Sequence, residues 1–572
     1  MSVLSERFTE AKERVDEIRA SHAALKQAKP KCKVYKNNPD GTPGAVFQGS
    51  YNFREFTRGQ FPDVQNVSSS GMFEVRADHY LSKWIMTIPN TPEECKNVLI
   101  RVDMYGGEWR WTGLMHHWEV DTRDGVDYLV VTANDDKQFA QFMLCPPNPL
   151  LPIGLFQFPR DWMVGGPSVY SITGMLMLPN ILRLEGHPYT LPDDPGDRRQ
   201  WNEALDWRKW QVHVKVPKFF DDSSLWTFLG SRMNSIDSII ADALDDGQLT
   251  LQYRRVFTDE GEQVTGLIVD DIANGALVFE VVDNSGFNKE SGTWFGGNVV
   301  TGLVRSVVQR TVGNIEDGLA PRTDSPELYQ DEYFQSGFMG SLAGGPIHTL
   351  RDSRFNDLQS KLAHSPATAV SVIIGGDNPT VDAIADLIIS ATGNLIGYFL
   401  LAGFDSLGDI ASDIIMPFLV GTILAWDEHK NTKRATNLGW IHLHEVYVSG
   451  AEMNVWSLSA IAVKRGGFNA TDDETSNTCA IGPNTWFIPG LHGKTGDRLG
   501  TTNGAYRRAT GDGSIFVAQI EEQTLQVQSD GEFDFVQKVG KNKATMSVGE
   551  RNARRIKALF ERINDVGFHI VQ

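Results

Sequence analysis

The run GWIHLHEVY holds the residues of this chain that come nearest to a metal-binding pattern: His442, His444 and Glu445. In an extended strand, residues two apart share a face, so both imidazoles would point to one side and offer two nitrogen ligands. Zinc sites use three or four protein ligands, and no third histidine or cysteine stands at a fitting distance. The pair therefore reads first as packing and hydrogen-bonding side chains of a strand, with a metal site as the alternative. His116 and His117 are adjacent and would alternate faces, which makes a shared metal harder still.

Other reactive patterns are missing. No G-x-S-x-G elbow occurs, and Cys32, Cys95, Cys145 and Cys479 form no C-x-x-C pair. A disulfide framework or zinc site is not expected from that spacing, and assembly in a reducing cytoplasm is. Gly493 to Thr495 spell GKT, but Ile488 stands where a phosphate loop requires its first glycine, so the stretch reads as a turn. Paired carboxylates of the glycosidase kind leave no sequence signature. No catalytic, cofactor-binding or metal residue is assigned, no cofactor is implied, and an enzyme is not expected.

The elements that would carry such residues are mostly strands. A chain of 572 residues suggests several domains, and 41 % hydrophobic with 22 % charged residues lies in the globular range. A net charge of −19 argues against stable nucleic-acid binding, which needs clustered Lys and Arg, but suits a surface past which DNA slides. The N-terminus has no apolar secretory core and reads as a charged amphipathic helix over residues 1–30.

Alternation in KWIMTI, VLIRVDMYGG, WRWTGLMHHWEV and DYLVVTA predicts a β-barrel or sandwich over 31–152, ended by the proline-rich CPPNPLLPIG. Residues 153–300 read as α+β: a short helix beginning near Asp197, helical spacing from Ser223 to Gly247, then a hairpin-like stretch to Gly286. Residues 301–435 carry two apolar segments that form a helical hairpin from Val381 to Trp426. Asp382, Asp386, Asp409 and Asp413 interrupt them, at about 2.5–3.5 kcal/mol for an Asp at the centre of a membrane helix, so a buried hairpin is expected over a membrane contact. Strands return over 436–540, and a basic amphipathic helix closes the chain over 541–572. The order Trp109, His117, Glu119, Val120 is echoed by Trp440, His444, Glu445, Val446, which suggests two barrels of one type.

From His364 onward, HSPATAVSVIIGGDNPTVDAIADLIIS, ILAWDEHKNTKRATNLGWIHLHEVY, WSLSAIAVKRGGFNAT and GDRLGTT follow one another in an order that resembles the minor tail proteins of actinobacterial siphophages, related to the baseplate hubs of other tailed phages. Asn288 and SGTWFGGNVVTGL extend the likeness backwards, and the first barrel with its CPPNPLLPI exit is similar in placement to a first hub domain. The resemblance implies a β-rich α+β multidomain fold: two hub-type β-barrels with α+β and helical insertions, three chains forming a ring that continues the tail tube at the tail tip. It also implies the partners: the distal tail protein, the tape-measure protein, other minor tail proteins and the host cell envelope, with DNA passing through at genome ejection. Gly375, Gly376, Gly496, Asp497 and Gly500 match the family's turn positions and are carried over as structural. The segment after Gly500 resembles no appended enzyme domain. A tail-associated cell-wall hydrolase and a host-surface binding module are the competing readings.

Overall fold

The computed structural model describes residues 28–90, 97–159, 162–269, 271–286, 346–351, 358–375, 426–447, 474–481, 487–510, 515–528 and 532–540, with isolated residues and short strands between them. The expected helices over 1–30 and 541–572 lie largely or wholly outside these residues. So do the apolar hairpin from Val381 up to the strand that begins at Trp426, the SGTWFGGNVVTGL run with Asn288, and WSLSA.

Seven strands build the N-terminal part: β1 (Lys31–Asn37), β2 (Ala45–Tyr51), β3 (Phe56–Val64), β4 (Ser70–Arg76), β5 (Val98–Met104), β6 (Trp109–Arg123) and β7 (Val126–Asp135). They pair antiparallel in the order β2-β1-β5-β6-β7-β4-β3. Phe61, Phe73, Ile100, Trp111 and Val131 meet in one core, and the helix Tyr80–Thr87 closes it with Leu81 and Ile85. Its first turn is capped by His79, whose Nδ1 accepts the Leu81 N–H. Trp111 needs bare backbone beside it: a Cβ on Gly113 would lie 2.8 Å from the indole and 2.3 Å from the Asn134 carbonyl oxygen.

The sheet does not stop at β3. The strand Ile515–Val527 pairs antiparallel with β3 from Glu522↔Val64 to Val527↔Gly59, and Phe533–Val539, Glu474–Ile481 and Leu358–Ser365 follow in turn. Leu525, Val527 and Phe535 pack into the same core as Phe61 and Phe73. Hydrogen bonding thus crosses the boundary expected near residue 436, because the pattern of a strand marks its inward face and says nothing of its partner. The strand Leu443–Tyr447 lies elsewhere, in a three-stranded sheet with Ala369–Gly375 and Trp426–Lys430. Trp440 is 94 % exposed whereas Trp109 is 4 % exposed, so the two echoed segments occupy unlike surroundings.

In sequence, an α+β unit lies between the N-terminal strands and the later strands that extend their sheet. The helix beginning near Asp197 is present as Arg198–Glu203, with the Asp197 carboxylate accepting the Arg199 N–H. The expected helix from Ser223 to Gly247 is halved. Trp226–Ser231 is a strand paired with Trp162–Pro167, and the helix runs only over Ile236–Gly247. Leu225 and Leu229, both buried, are four apart, a spacing that suits one face of a helix and one face of a strand alike. The helix ends past Gly247 on a left-handed Gln248. The hairpin-like stretch is Leu249–Val256 paired with Ala276–Asp283, and Val212–Val214 joins it in parallel.

Candidate functional site

The densest polar chemistry sits where the α+β unit docks on the N-terminal sheet. On β5, a strand buried throughout, Arg101 and Asp103 share one face. Arg110, at the start of β6, donates from Nε to Asp103 at 2.7 Å and makes a two-pronged contact with Glu262 at 2.6 and 2.8 Å. Arg101 donates to Tyr35 Oη at 3.1 Å and to Glu260 at 3.0 Å. Both carboxylates belong to the loop after Leu249–Val256, so charges of the sheet are neutralised by charges of the other unit. Phe257 is completely buried beneath them, its ring centroid 4.2 Å from the Arg101 guanidinium and 5.4 Å from that of Arg110. Partial burial alone would raise the Glu262 carboxyl. Hydrogen bonds from Arg110 and from the Phe257 N–H outweigh it and bring the pKa down to about 2.

A second pair lies deeper. Arg255 meets Asp136 through Nε and Nη2, both at 2.8 Å, and spends Nη1 on the Gly275 carbonyl. The Thr112 hydroxyl also donates to Asp136. The neighbouring Asp135 accepts from Ser68 and Ser69 at 2.9 and 2.8 Å, and its burial pushes the pKa up to about 6 against the lowering influence of Lys137. Lys137 pairs with Asp63, and Asp63 accepts from Thr495 at 2.6 Å, which ties in the C-terminal region. Three stretches distant in sequence therefore converge.

Beside this junction is a half-open cleft of 270 Å³, with Asp63, Trp109, Arg254, Lys494 and Gln523 on its walls. Two of its acids are engaged, Asp63 as above and Glu280 with Lys215 at 2.7 Å, and Glu108 is the third acid on its wall. Asp136 and Asp135, each closed off from solvent, spend their oxygens on internal donors. That is the chemistry of a scaffold, in which charges hold parts of one chain in register.

His444 is exposed and His442 half-buried, their ring centroids lie 5.4 Å apart, and His442 Nδ1 lies 2.6 Å from the Gly439 carbonyl oxygen. Among the described residues no group of three His, Cys, Asp or Glu side chains is placed to hold a metal. His116 and His117 are exposed beside an irregularity in the β6–β7 pairing. Gly375 ends a strand opposite Trp426, and Gly376 lies outside the described residues.

Gly496 has φ +95° and donates its N–H to the Ile520 carbonyl at 2.8 Å. A Cβ there would fall 2.0 Å from Thr250 Oγ1 of the α+β unit. Asp497 accepts from the Lys494 N–H at 2.7 Å and from Asn284 at 3.3 Å, and Gly500 sits in a short strand between Thr349 and Val517. The GKT stretch runs between two turns, one closed by the Leu491 and His492 N–H groups on the Ile488 carbonyl and one by the Asp497 N–H on the Lys494 carbonyl. The junction charges are not among the candidate residues of the sequence. Their signal was a pair of opposite charges two apart in VLIRVDM, an otherwise apolar strand.

The chain belongs to the Siphovirus ReqiPepy6 Gp37-like protein family, whose model matches residues 47–541. Minor tail protein Gp28 of Mycobacterium phage L5 is 28 % identical over 515 residues, spanning 82 % of this chain and 84 % of the relative. Its namesake from Mycobacterium phage D29 is 27 % identical over the same shares. Among solved structures, a tail protein from Neisseria meningitidis MC58 aligns over 90 % of this chain and 98 % of its own, at TM-score 0.38 and 10 % identity. The 43 kDa tail protein of prophage MuSo2 from Shewanella oneidensis gives 0.37 and 9 % over 89 % and 98 %. The likeness to siphophage minor tail proteins read from the sequence is thus one of family, and the protein is a structural component of the phage tail.

Proposed function

We propose that this tail protein is the baseplate hub at the tail tip. Three copies close around the tail axis, join and seal the end of the tail tube, and open when the genome is ejected. The distal tail protein, the tape-measure protein and other minor tail proteins are its neighbours in the virion after assembly in the host cytoplasm, and the host envelope is met last. The observation that carries this reading is the continuity of one sheet from β2 through β3 into Ile515–Val527 and on to Leu358–Ser365. A subunit that supplies two β-modules to a ring must hold them at a fixed spacing, and a shared sheet locked by the junction charges does so. Two modules in each of three chains match a six-fold tube. The charge of −19 favours passage of DNA over its capture. Native mass spectrometry of the purified chain and electron cryo-microscopy of virion tips test it: a trimer on the tail axis is expected. A chain that stays monomeric and lies off the axis is incompatible with the reading.

A further inference from the structure

Between Cys145 and Pro159 the chain runs for fifteen residues without a charge, PP-N-PLLPIGLFQFP after the cysteine, in a protein of net charge −19. The two polar side chains of this loop, Asn148 and Gln157, are half-buried and spend their bonds within it. The Asn148 backbone N–H donates to Gln157 Oε1 at 2.9 Å, and Asn148 Nδ2 donates to the Phe158 carbonyl at 3.0 Å. Gln157 donates to the Leu151 carbonyl at 3.1 Å. Both ends of the loop are fixed to one segment, since Cys145 pairs with Asn234 and Trp162 with Ser231. With the polar groups spent inside, the apolar ones face out: Leu150, Ile153, Leu155, Phe156, Phe158 and, on the strand that follows, Met163, all 42 % to 87 % exposed. Phe156 and Phe158 stack with ring centroids 6.5 Å apart.

We propose that this loop is the surface through which copies of this chain meet, loop against loop around the common axis. The proposal rests on the trimeric reading above and names its contact. Charge selects the occupant. Copies of −19 each repel, so their closest approach belongs where no charge stands. A lipid surface is the poorer fit, because the loop offers no Lys or Arg to anionic headgroups. Area agrees with the choice. At roughly 150–250 Å² for a buried aromatic side chain, the exposed side chains supply on the order of the 800 Å² per partner that stable interfaces bury. The loop is already ordered by its own hydrogen bonds, so little freedom is lost on association.

The test uses the full chain. Wild type, the double variant Phe156→Asp/Phe158→Asp and the single variant Phe156→Cys are compared by native mass spectrometry over a range of concentrations, with circular dichroism as the control of fold. The expected result is a wild-type trimer, a double variant weakened by roughly a hundred-fold in association with its spectrum unchanged, and oxidised Phe156→Cys chains linked in pairs. A wild-type trimer that the double substitution leaves intact overturns the loop and spares the trimer; a monomeric wild type overturns the trimer itself. Two further outcomes also overturn the loop contact. In one, wild type floats with phosphatidylglycerol vesicles and the double variant does not. In the other, the double variant melts several degrees lower with its oligomeric state unaltered, which would mean that another part of the same chain covers the loop.

Discussion

The junction of sheet and α+β unit and the loop from Cys145 to Pro159 invert the usual distribution of side chains. In the first, Arg101, Asp103, Asp136 and Arg255 are buried; in the second, leucines and phenylalanines stand in solvent. The contrast separates contacts a chain makes with itself from contacts it holds ready for others. Buried charge is tolerable only where each group meets its counterpart in fixed geometry, which one chain can guarantee. Exposed apolar surface is tolerable where a second molecule completes the core. The junction should therefore fail on its own when a partner is removed, and the loop should not.

The largest effect is expected for Arg255→Ala. It strands Asp136, with no exposed surface, opposite a void, and costs about 3–5 kcal/mol as an uncompensated buried charge does. Urea unfolding measures it. Replacing both partners, Arg255→Met with Asp136→Leu, should return much of the loss. If the single substitution costs under 1 kcal/mol, the pair does not hold the units together.

Next comes Gly496→Ala. The residue sits at φ +95°, and its new methyl group meets Thr250 Oγ1 at 2.0 Å, so backbone strain and overpacking add to about 2–4 kcal/mol. Thr250→Ala in the same chain should relieve part of the cost. A melting temperature that the single substitution leaves unmoved would mean that the GKTGD turn does not seat against the α+β unit.

Acid probes the same junction with two opposite signs. Glu262 has its folded pKa at about 2, below the ordinary carboxylate value, so its contribution is full above the unfolded pKa and is lost as pH falls from about 5 towards 2. Asp135 is raised to about 6, so its ionised form is the strained one, and protonation stabilises the fold as pH drops from about 7 to 4. Stability measured against pH should rise slightly and then fall. In Glu262→Gln the fall below pH 5 should shrink, a difference on the order of 2 kcal/mol; in Asp135→Asn the rise should vanish. Profiles of the variants that superimpose on the wild type would remove both groups from the account.

How far this arrangement was legible follows from what each kind of pattern encodes. Alternation in VLIRVDM, WRWTGLM and DYLVVTA marks strands and their inner faces, and β5, β6 and β7 are where that pattern puts them. Pairing across more than 450 residues, Val64 with Glu522, is not local information, and so no strand pattern announces the sheet that joins them. The same limit hid the junction: Arg101 and Asp103 stand out within their strand, but Glu260 and Glu262, which complete them, lie in an unremarkable polar loop. The Trp440 echo is a likeness of residue types, and these do not carry burial: Trp440 is exposed where Trp109 is buried. Gly496 was marked by family likeness, and the reason for a glycine there, the approach of Thr250, emerges only in three dimensions.

The smallest effect is expected at the histidines that first suggested chemistry. His442 and His444 lie on an exposed turn and strand, their rings 5.4 Å apart, and neither side chain fills a core. A surface residue of this kind changes stability by no more than about 0.5 kcal/mol when truncated. His444→Ala should therefore melt with the wild type, and zinc at micromolar concentration should shift neither, since two ligands without a third bind the ion too weakly to add to folding energy. A zinc-dependent rise in melting temperature that disappears in His444→Ala would restore the metal reading. A pair at the surface would then be doing from outside what the junction does from within.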